Sequence, residues 1–152
     1  MLSAGDALKR LKEGNARFVA NEAQGSNGVS DPMRRLQLVG GQEPFAIILG
    51  CSDSRAPAEL VFDQGLGVLF VIRVAGNVIA PSLVGSVEFA ADRFGTRLVV
   101  VMGHTSCGAV AATLEQLDQP SETRSPNLHA IVDRIRPVVD PLLDAFPDEE
   151  PM

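Results

Sequence analysis

The sequence predicts an α/β domain in which helices flank a parallel β-sheet. Three short apolar runs rich in β-branched residues support this prediction, at residues 45–49, 68–74 and 98–102. None of them alternates between apolar and polar residues, so each is expected to be buried on both faces, as strands of a parallel sheet are. Helical segments at residues 58–62 and 82–94 separate the runs. This alternation of strands and helices is typical of right-handed crossovers between parallel strands.

Two helices are predicted ahead of this core. Residues 3–20 carry apolar side chains at helical spacing, which predicts an amphipathic helix. A loop rich in Gly, Ser and Asn is expected over residues 21–30. Asp31 then suits a helix N-cap, and Pro32 suits the first position of a short helix that reaches about Val39.

The last part of the chain is also predicted to be helical. One helix is expected to begin near Ser106, and another at Ser125 and Pro126. Because proline lacks an amide hydrogen and crowds the preceding turn, Pro137 and Pro141 should kink or break this last helix. The acidic end of the chain is expected to fray.

Length and composition limit the kinds of protein that this chain can be. Its 152 residues suffice for one domain with a core, and the hydrophobic fraction of 45% and charged fraction of 21% are typical of globular proteins. The net charge of −6 argues against nucleic acids and anionic membranes as partners. No apolar run is long enough to cross a bilayer, and the N-terminus lacks the pattern of a signal peptide. We therefore expect a single cytoplasmic domain over residues 1–152.

Chemically reactive side chains follow the first and third predicted strands. The segment Cys-Ser-Asp-Ser-Arg occupies residues 51–55, and His-Thr-Ser-Cys occupies residues 104–107. In a parallel sheet both segments emerge at the carboxyl edge, where open α/β sheets bind ligands. If the first strand lies between the other two, Cys51 and His104 flank that crevice.

Each of these residues also has an ordinary structural explanation. Two distant cysteines can form a disulfide in a secreted protein, although in a chain that is not exported they are more often free thiols or metal ligands. A single cysteine after a strand is usually a small apolar core residue, and Asp53 with Arg55 is more often a structural ion pair. His129, on the charged terminal helix, is expected to be solvated.

The combination is more informative than its parts. Both cysteines of the chain, Cys51 and Cys107, and one of its two histidines, His104, fall at the ends of adjacent predicted strands. Two thiolates and an imidazole suit Zn²⁺, and three protein ligands leave the fourth position of the ion open to water, as in catalytic zinc sites. The pattern thus favours a catalytic zinc site over a structural one.

The segment at residues 51–55, followed by Gly-His-Thr-Ser-Cys-Gly-Ala-Val at residues 103–110, resembles the β-carbonic anhydrases. Four further stretches carry the resemblance, at residues 7–15, 57–67, 70–77 and 85–90. It runs from about residue 4 to residue 117. It implies a parallel β-sheet flanked by helices, and the zinc-dependent, reversible hydration of carbon dioxide to bicarbonate and a proton by a zinc-bound hydroxide.

By the same resemblance, Cys51, His104 and Cys107 bind the zinc ion. Asp53 accepts a hydrogen bond from the zinc-bound hydroxide and so directs a lone pair at carbon dioxide, and Arg55 pairs with Asp53. Zinc lowers the pKa of bound water from 15.7 to about 7, which supplies hydroxide near neutral pH.

The resemblance also suggests substrate contacts. Gln42 matches a glutamine that hydrogen-bonds the substrate, and Phe70, Ala75 and Phe89 match positions that line a small apolar carbon dioxide pocket. Family members usually carry a tyrosine where Phe89 stands. Arg73 matches an arginine that, in some members, joins a tryptophan and a tyrosine to bind a regulatory bicarbonate. Since this chain has no Trp and no Tyr, a structural or interface role is favoured for Arg73.

The resemblance further implies an assembly. In the family the N-terminal helix packs on a partner and the pocket lies at the interface, so a homodimer or larger homo-oligomer is expected, with Leu8, Leu11 and Phe18 needing cover. Members continue through further strands that nothing after Leu117 supplies. We therefore expect an incomplete domain whose 98–102 strand is an open, association-prone edge. Hydrolysis of COS or CS₂ at the same zinc site, and zinc binding without turnover, are the alternative functions.

Overall fold

The computed structural model describes residues 1–24, 31–119 and 125–146, and within them three parallel strands form one sheet. The strands are β1 (Ala46–Cys51), β2 (Leu69–Val74) and β3 (Val99–Met102). The six α-helices of this described part are α1 (Ala4–Val19), α2 (Pro32–Leu38), α3 (Ala58–Val61), α4 (Pro81–Phe94), α5 (Gly108–Asp118) and α6 (Pro126–Ala145). The strand order is β2-β1-β3, which confirms the predicted α/β fold and puts β1 at the centre. Residues 25–30 of the predicted loop and the acidic end at 147–152 lie outside the described residues.

Polar side chains cap the first two helices where the sequence predicts their starts. The Ser3 hydroxyl accepts a hydrogen bond from the Asp6 amide at 3.1 Å and begins α1. The Asp31 carboxylate accepts one from the Met33 amide at 2.9 Å, with Pro32 at the first position of α2. Such caps satisfy amides that have no partner within the helix.

The central strand fills a core on each face of the sheet. All six residues of β1 are buried. Because side chains alternate along a strand, Ala46 and Ile48 pack toward Ala7 and Leu11 of α1. The opposite face of β1 packs toward α4, around Ala90. β1 is therefore covered on both faces of the sheet along its whole length.

The edge strand β3 departs from the expectation that every strand is buried on both faces. Val99 is 44% exposed and Val101 is 61% exposed, whereas Val100 packs against the core on the α1 side. The core on the α4 side draws its sheet residues from β1 and β2. Within the described residues β3 pairs with β1 alone. The apolar run at 98–102 is therefore an edge strand, and only one of its faces is covered.

Helix α1 docks closely on the segment around α3. A Cβ atom at Gly14 would lie 1.8 Å from the carbonyl oxygen of Phe62, so only glycine allows this approach. The Asn15 side chain donates to the carbonyl of Val61 at 3.0 Å. Leu11 is 1% exposed within its own chain, so the expectation that it needs cover from a partner is wrong. Leu8 and Phe18 are each 39% exposed.

Helix α6 runs through Pro137 and Pro141, so the predicted break does not occur. Both prolines lie on the exposed side of the helix, where water can bond the carbonyl groups that lose an amide partner. Ile135 and Val139 on the other side are buried against α5 and the end of β2. This packing offsets the missing backbone hydrogen bonds. In the described part of the chain, no helix is both long and apolar enough to span a membrane.

Replacing Leu11 with alanine should lower the free energy of unfolding by about 2–5 kcal/mol, because the site is fully buried and a cavity remains. Leu8→Ala on the same helix is the matched control, and its cost should be about 1 kcal/mol at most. Urea unfolding of both variants measures the difference. Equal losses would show that Leu11 is not part of the core.

Candidate metal centre and active site

Three side chains with metal-binding atoms meet at the carboxyl edge of the sheet. Cys51 is the last residue of β1, His104 follows β3, and Cys107 is the residue before α5. The two sulfur atoms and a ring nitrogen of His104 all lie within 4.8 Å of one another. The Cys51 and Cys107 sulfurs are 3.6 Å apart, and both cysteines are free thiols. The structure thus brings the three predicted ligands together.

The imidazole of His104 has one nitrogen engaged and one free. Its Nδ1 lies 2.9 Å from the carbonyl oxygen of Thr105. A carbonyl oxygen can only accept, so Nδ1 carries the proton and Nε2 is left with a lone pair. Nε2 is buried and has no hydrogen-bond partner among the described residues. A buried polar atom without a partner is costly unless a ligand fills the role. A histidine that donates through one nitrogen to a carbonyl and offers the other is typical of zinc sites, so this donor set fits Zn²⁺.

Backbone amides surround the sulfur of Cys51. The N–H groups of Asp53 and Gly76 donate to it at 3.3 Å and 3.2 Å. Burial alone raises the pKa of this thiol, but the neighbouring His104 side chain, these two amides and Cys107 outweigh burial and bring the pKa to about 7. The thiolate is the form that binds metals, so the local backbone prepares Cys51 for that role.

The carboxylate of Asp53 is held beside the ligands. Its Oδ2 accepts a hydrogen bond from the Gly108 amide at 2.7 Å, and the Arg55 guanidinium lies 3.7 Å from the same oxygen. The Gly108 amide is the largest cause that lowers the pKa of Asp53; partial burial opposes it, and the positive charge of Arg55 adds to it. A Cβ atom at residue 108 would lie only 3.1 Å from Oδ2. Glycine at this position therefore lets the carboxylate approach the start of α5.

Arg73 of β2 holds the loop that carries these groups. Its Nε and Nη2 donate to the carbonyl oxygen of Cys51 at 3.1 Å and 3.0 Å. Nη2 also donates to the carbonyls of Ser52 and Ser54. The guanidinium is thus occupied by the backbone of the loop, in line with a structural role. No sequence signal points to these carbonyl contacts, because they join residues that are distant along the chain.

An open pocket of about 420 Å³ borders Asp53. Every other residue that lines it is apolar: Ala75, Gly108, Ala109, Ala112, Leu128, Ile131 and Val132. The last three belong to α6, whose contribution to the site sequence reasoning missed. Of the four predicted substrate contacts, Ala75 is the one that lines this pocket.

The other predicted substrate contacts lie elsewhere in the same chain. Phe70 and Phe89 have ring centroids 6.2 Å apart on the α4 side of the sheet, and Phe89 is 54% exposed. Gln42 is exposed ahead of β1, at the other end of that strand from Cys51. Their role toward substrate stays a prediction. His129 is half-buried, and its Nε2 is buried with no partner in the described part of the chain, so the expectation of a solvated His129 is wrong.

Relatives of known type align with most of this chain. A family model described as carbonic anhydrase matches residues 46–150. The chain is 48% identical over 134 residues to a carbonic anhydrase of Mycolicibacterium smegmatis, an alignment that covers 88% of this chain and 63% of that protein. It is 45% identical over 133 residues to carbonic anhydrase 2 of Mycobacterium tuberculosis, with the same coverage of 88% and 63%. The chain therefore spans 63% of the length of these curated relatives.

Solved structures agree with the sequence relatives. The β-carbonic anhydrase CafA of Aspergillus fumigatus superposes with a TM-score of 0.66 at 28% identity, over 96% of this chain and 64% of that one. A tetrameric β-carbonic anhydrase of Sordaria macrospora gives a TM-score of 0.62 at 28% identity, over 91% and 71% of the two chains. From the family match, the identity to its relatives and the shared fold, it follows that this chain belongs to the β-carbonic anhydrase family.

Proposed function

We propose that this protein is a zinc-dependent carbonic anhydrase, which converts carbon dioxide and water reversibly to bicarbonate and a proton. The observation that carries the proposal is the group of Cys51, His104 and Cys107, in which the buried Nε2 of His104 has no partner among the described residues. Two thiols and one imidazole are a donor set that zinc prefers.

The proposed chemistry divides between the ion and the chain. Zinc held by three protein ligands lowers the pKa of a water molecule to about 7, so that hydroxide is available near neutral pH. Asp53 would accept a hydrogen bond from the attacking oxygen and so orient its lone pair toward the carbon atom. The Gly108 amide and the Arg55 guanidinium favour the ionised form of Asp53, which can only accept.

The pocket beside Asp53 suits the proposed substrate. Carbon dioxide is small, uncharged and apolar, and the pocket wall is made of alanine, glycine and branched aliphatic residues apart from Asp53. The side chains of such a wall offer no strong hydrogen-bond donor that would retain the bicarbonate product. Apolar pockets with a few placed polar groups are the usual form of small-molecule sites.

We also propose that the complete site needs a second copy of the chain. Gln42, Phe70 and Phe89 lie apart from the metal-binding group of their own chain, although the family resemblance makes them substrate contacts. Gln42 and Phe89 are exposed, so a partner subunit could receive them. A two-fold dimer would supply these residues reciprocally.

Replacing Cys107 with serine should remove most of the zinc, because the ligand set loses a thiolate. The wild-type chain should bind an equimolar amount of zinc. Loss of a residue that only orients a metal ligand typically lowers metal affinity by about 10–100-fold. The zinc affinity of C107S should fall by more than that, because the ligand itself is lost. Elemental analysis and chelator competition measure this. Thr105→Ala, an exposed neighbour, is the control and should keep its zinc. Full zinc content in C107S would refute the ligand assignment.

Replacing Asp53 with asparagine should lower kcat/KM for carbon dioxide hydration by about 100-fold or more, because the amide no longer offers a charged acceptor. Zinc content should stay unchanged. Stopped-flow hydration assays test both points, and Asp92→Asn, on the exposed side of α4, is the control. Sulfide release from COS or CS₂, measured in parallel, separates that hydrolase activity from hydration. Wild-type turnover in D53N, or a wild-type chain that binds zinc but turns over neither substrate class, would contradict the proposal.

Gln42→Ala should lower hydration activity without loss of zinc, and mixing it with C107S should restore part of the activity. In a mixed dimer, the Q42A chain keeps its metal ligands and receives Gln42 from the C107S chain. Random pairing should therefore recover about a quarter of the wild-type activity per chain in a two-fold dimer. Sedimentation velocity checks that the subunits associate and exchange. No recovery after exchange, or a fully active monomer, would contradict the shared site.

A further inference from the structure

The short 3₁₀ turn Ala75–Asn77 after β2 touches the segments that carry all three metal-binding side chains. The Gly76 amide donates to the Cys51 sulfur at 3.2 Å. The Asn77 side chain donates at 3.0 Å to the carbonyl of Met102, just ahead of the histidine. A Cβ atom at residue 76 would lie 3.2 Å from the Cβ of Ala109, just after the second cysteine. The turn therefore links the ends of β1 and β3 and the start of α5.

The backbone of this turn has a conformation that few residues adopt. Gly76 has a φ angle of 68° and Asn77 has one of 49°, both in the left-handed region. Glycine enters that region without strain, and asparagine more readily than most other residues. A left-handed backbone at a residue other than glycine persists only where the surrounding structure holds it, so packing around the turn helps to keep the Gly76 amide in its direction.

Helix α6 supplies the closest part of that packing. The atom nearest to a Cβ position at Gly76 is Cδ1 of Ile135, at 2.6 Å. Ile135 is 7% exposed and belongs to a small core cluster with Val78 and Val139. Because protein interiors are close-packed, loss of Cδ1 would leave a void directly beside the turn.

We propose that Ile135 is a positioning residue for the metal centre, whose terminal methyl holds the Ala75–Asn77 turn so that the Gly76 amide stays directed at the sulfur of Cys51. The inference rests on the proposed function in that the three side chains hold zinc. When a group that does not touch the ion but orients a metal ligand is lost, metal affinity commonly falls by about 10–100-fold. Ile135 would act in this way through the turn, without contacting the ion.

The test compares two substitutions in the same core cluster of the full, zinc-loaded chain. Ile135→Val removes only Cδ1, the atom beside Gly76, whereas Val139→Ala removes more of a neighbouring side chain of α6. Zinc release to a chromophoric chelator should be about tenfold faster in I135V, the lower end of the range for ligand-orienting groups. V139A should release zinc at close to the wild-type rate, although it loses at least as much stability to urea. Ile135→Leu, which keeps a terminal methyl, should restore slow release.

The absorption of the cobalt(II)-loaded chain provides a second readout that a purely structural role would not alter. Thiolate-to-cobalt charge-transfer bands should shift in I135V and stay in place in V139A. Equal release rates and unshifted bands in I135V would overturn this inference alone, provided that the wild-type chain binds zinc. A wild-type chain that takes up neither zinc nor cobalt would instead overturn the proposed function, and this inference with it.

Discussion

The parallel pairing of β1 with both of its neighbours is the constraint on which the candidate site depends. Register aligns Cys51 with Val74 of β2 and Gly50 with Met102 of β3, so all three strands end at nearly the same level. Whatever follows these strands is therefore gathered at one edge. The cysteine of β1, the histidine after β3 and the turn after β2 lie close together there, because the parallel hydrogen-bonded register aligns the carboxyl ends of the three strands.

Backbone groups, more than charged side chains, set the electrostatics of that edge. The Cys51 sulfur receives the amides of Asp53 and Gly76, and the Asp53 carboxylate receives the amide of Gly108. Backbone carbonyl oxygens of the same loop, in turn, accept hydrogen bonds from the positively charged guanidinium of Arg73. Amides fixed in a folded backbone do not need to reorganise when a negative charge forms, which suits a site built for thiolates and developing anions.

Packing beyond the sheet shapes the same edge. Helix α6 provides one wall of the pocket beside Asp53 and packs Ile135 over Gly76. The open side of the fold lies elsewhere: Val99 and Val101 of β3 and Phe89 of α4 remain exposed in the isolated chain. Solvent-exposed apolar side chains of this size favour association with further protein surface. These exposed side chains are therefore available for the assembly that the proposed shared site requires.

The sequence by itself determined the fold class and singled out Cys51, His104 and Cys107 as candidate metal ligands. These depend on short-range patterns, namely apolar runs of strand length and rare residue types placed directly after them. Only the tertiary structure decided that α6 continues through Pro137 and Pro141, that Arg73 bonds loop carbonyls, and that Ile135 covers Gly76. Each of these depends on contacts between residues far apart in the chain. A local pattern cannot report such contacts, because the packing that offsets a proline or selects a glycine exists only after the chain has folded.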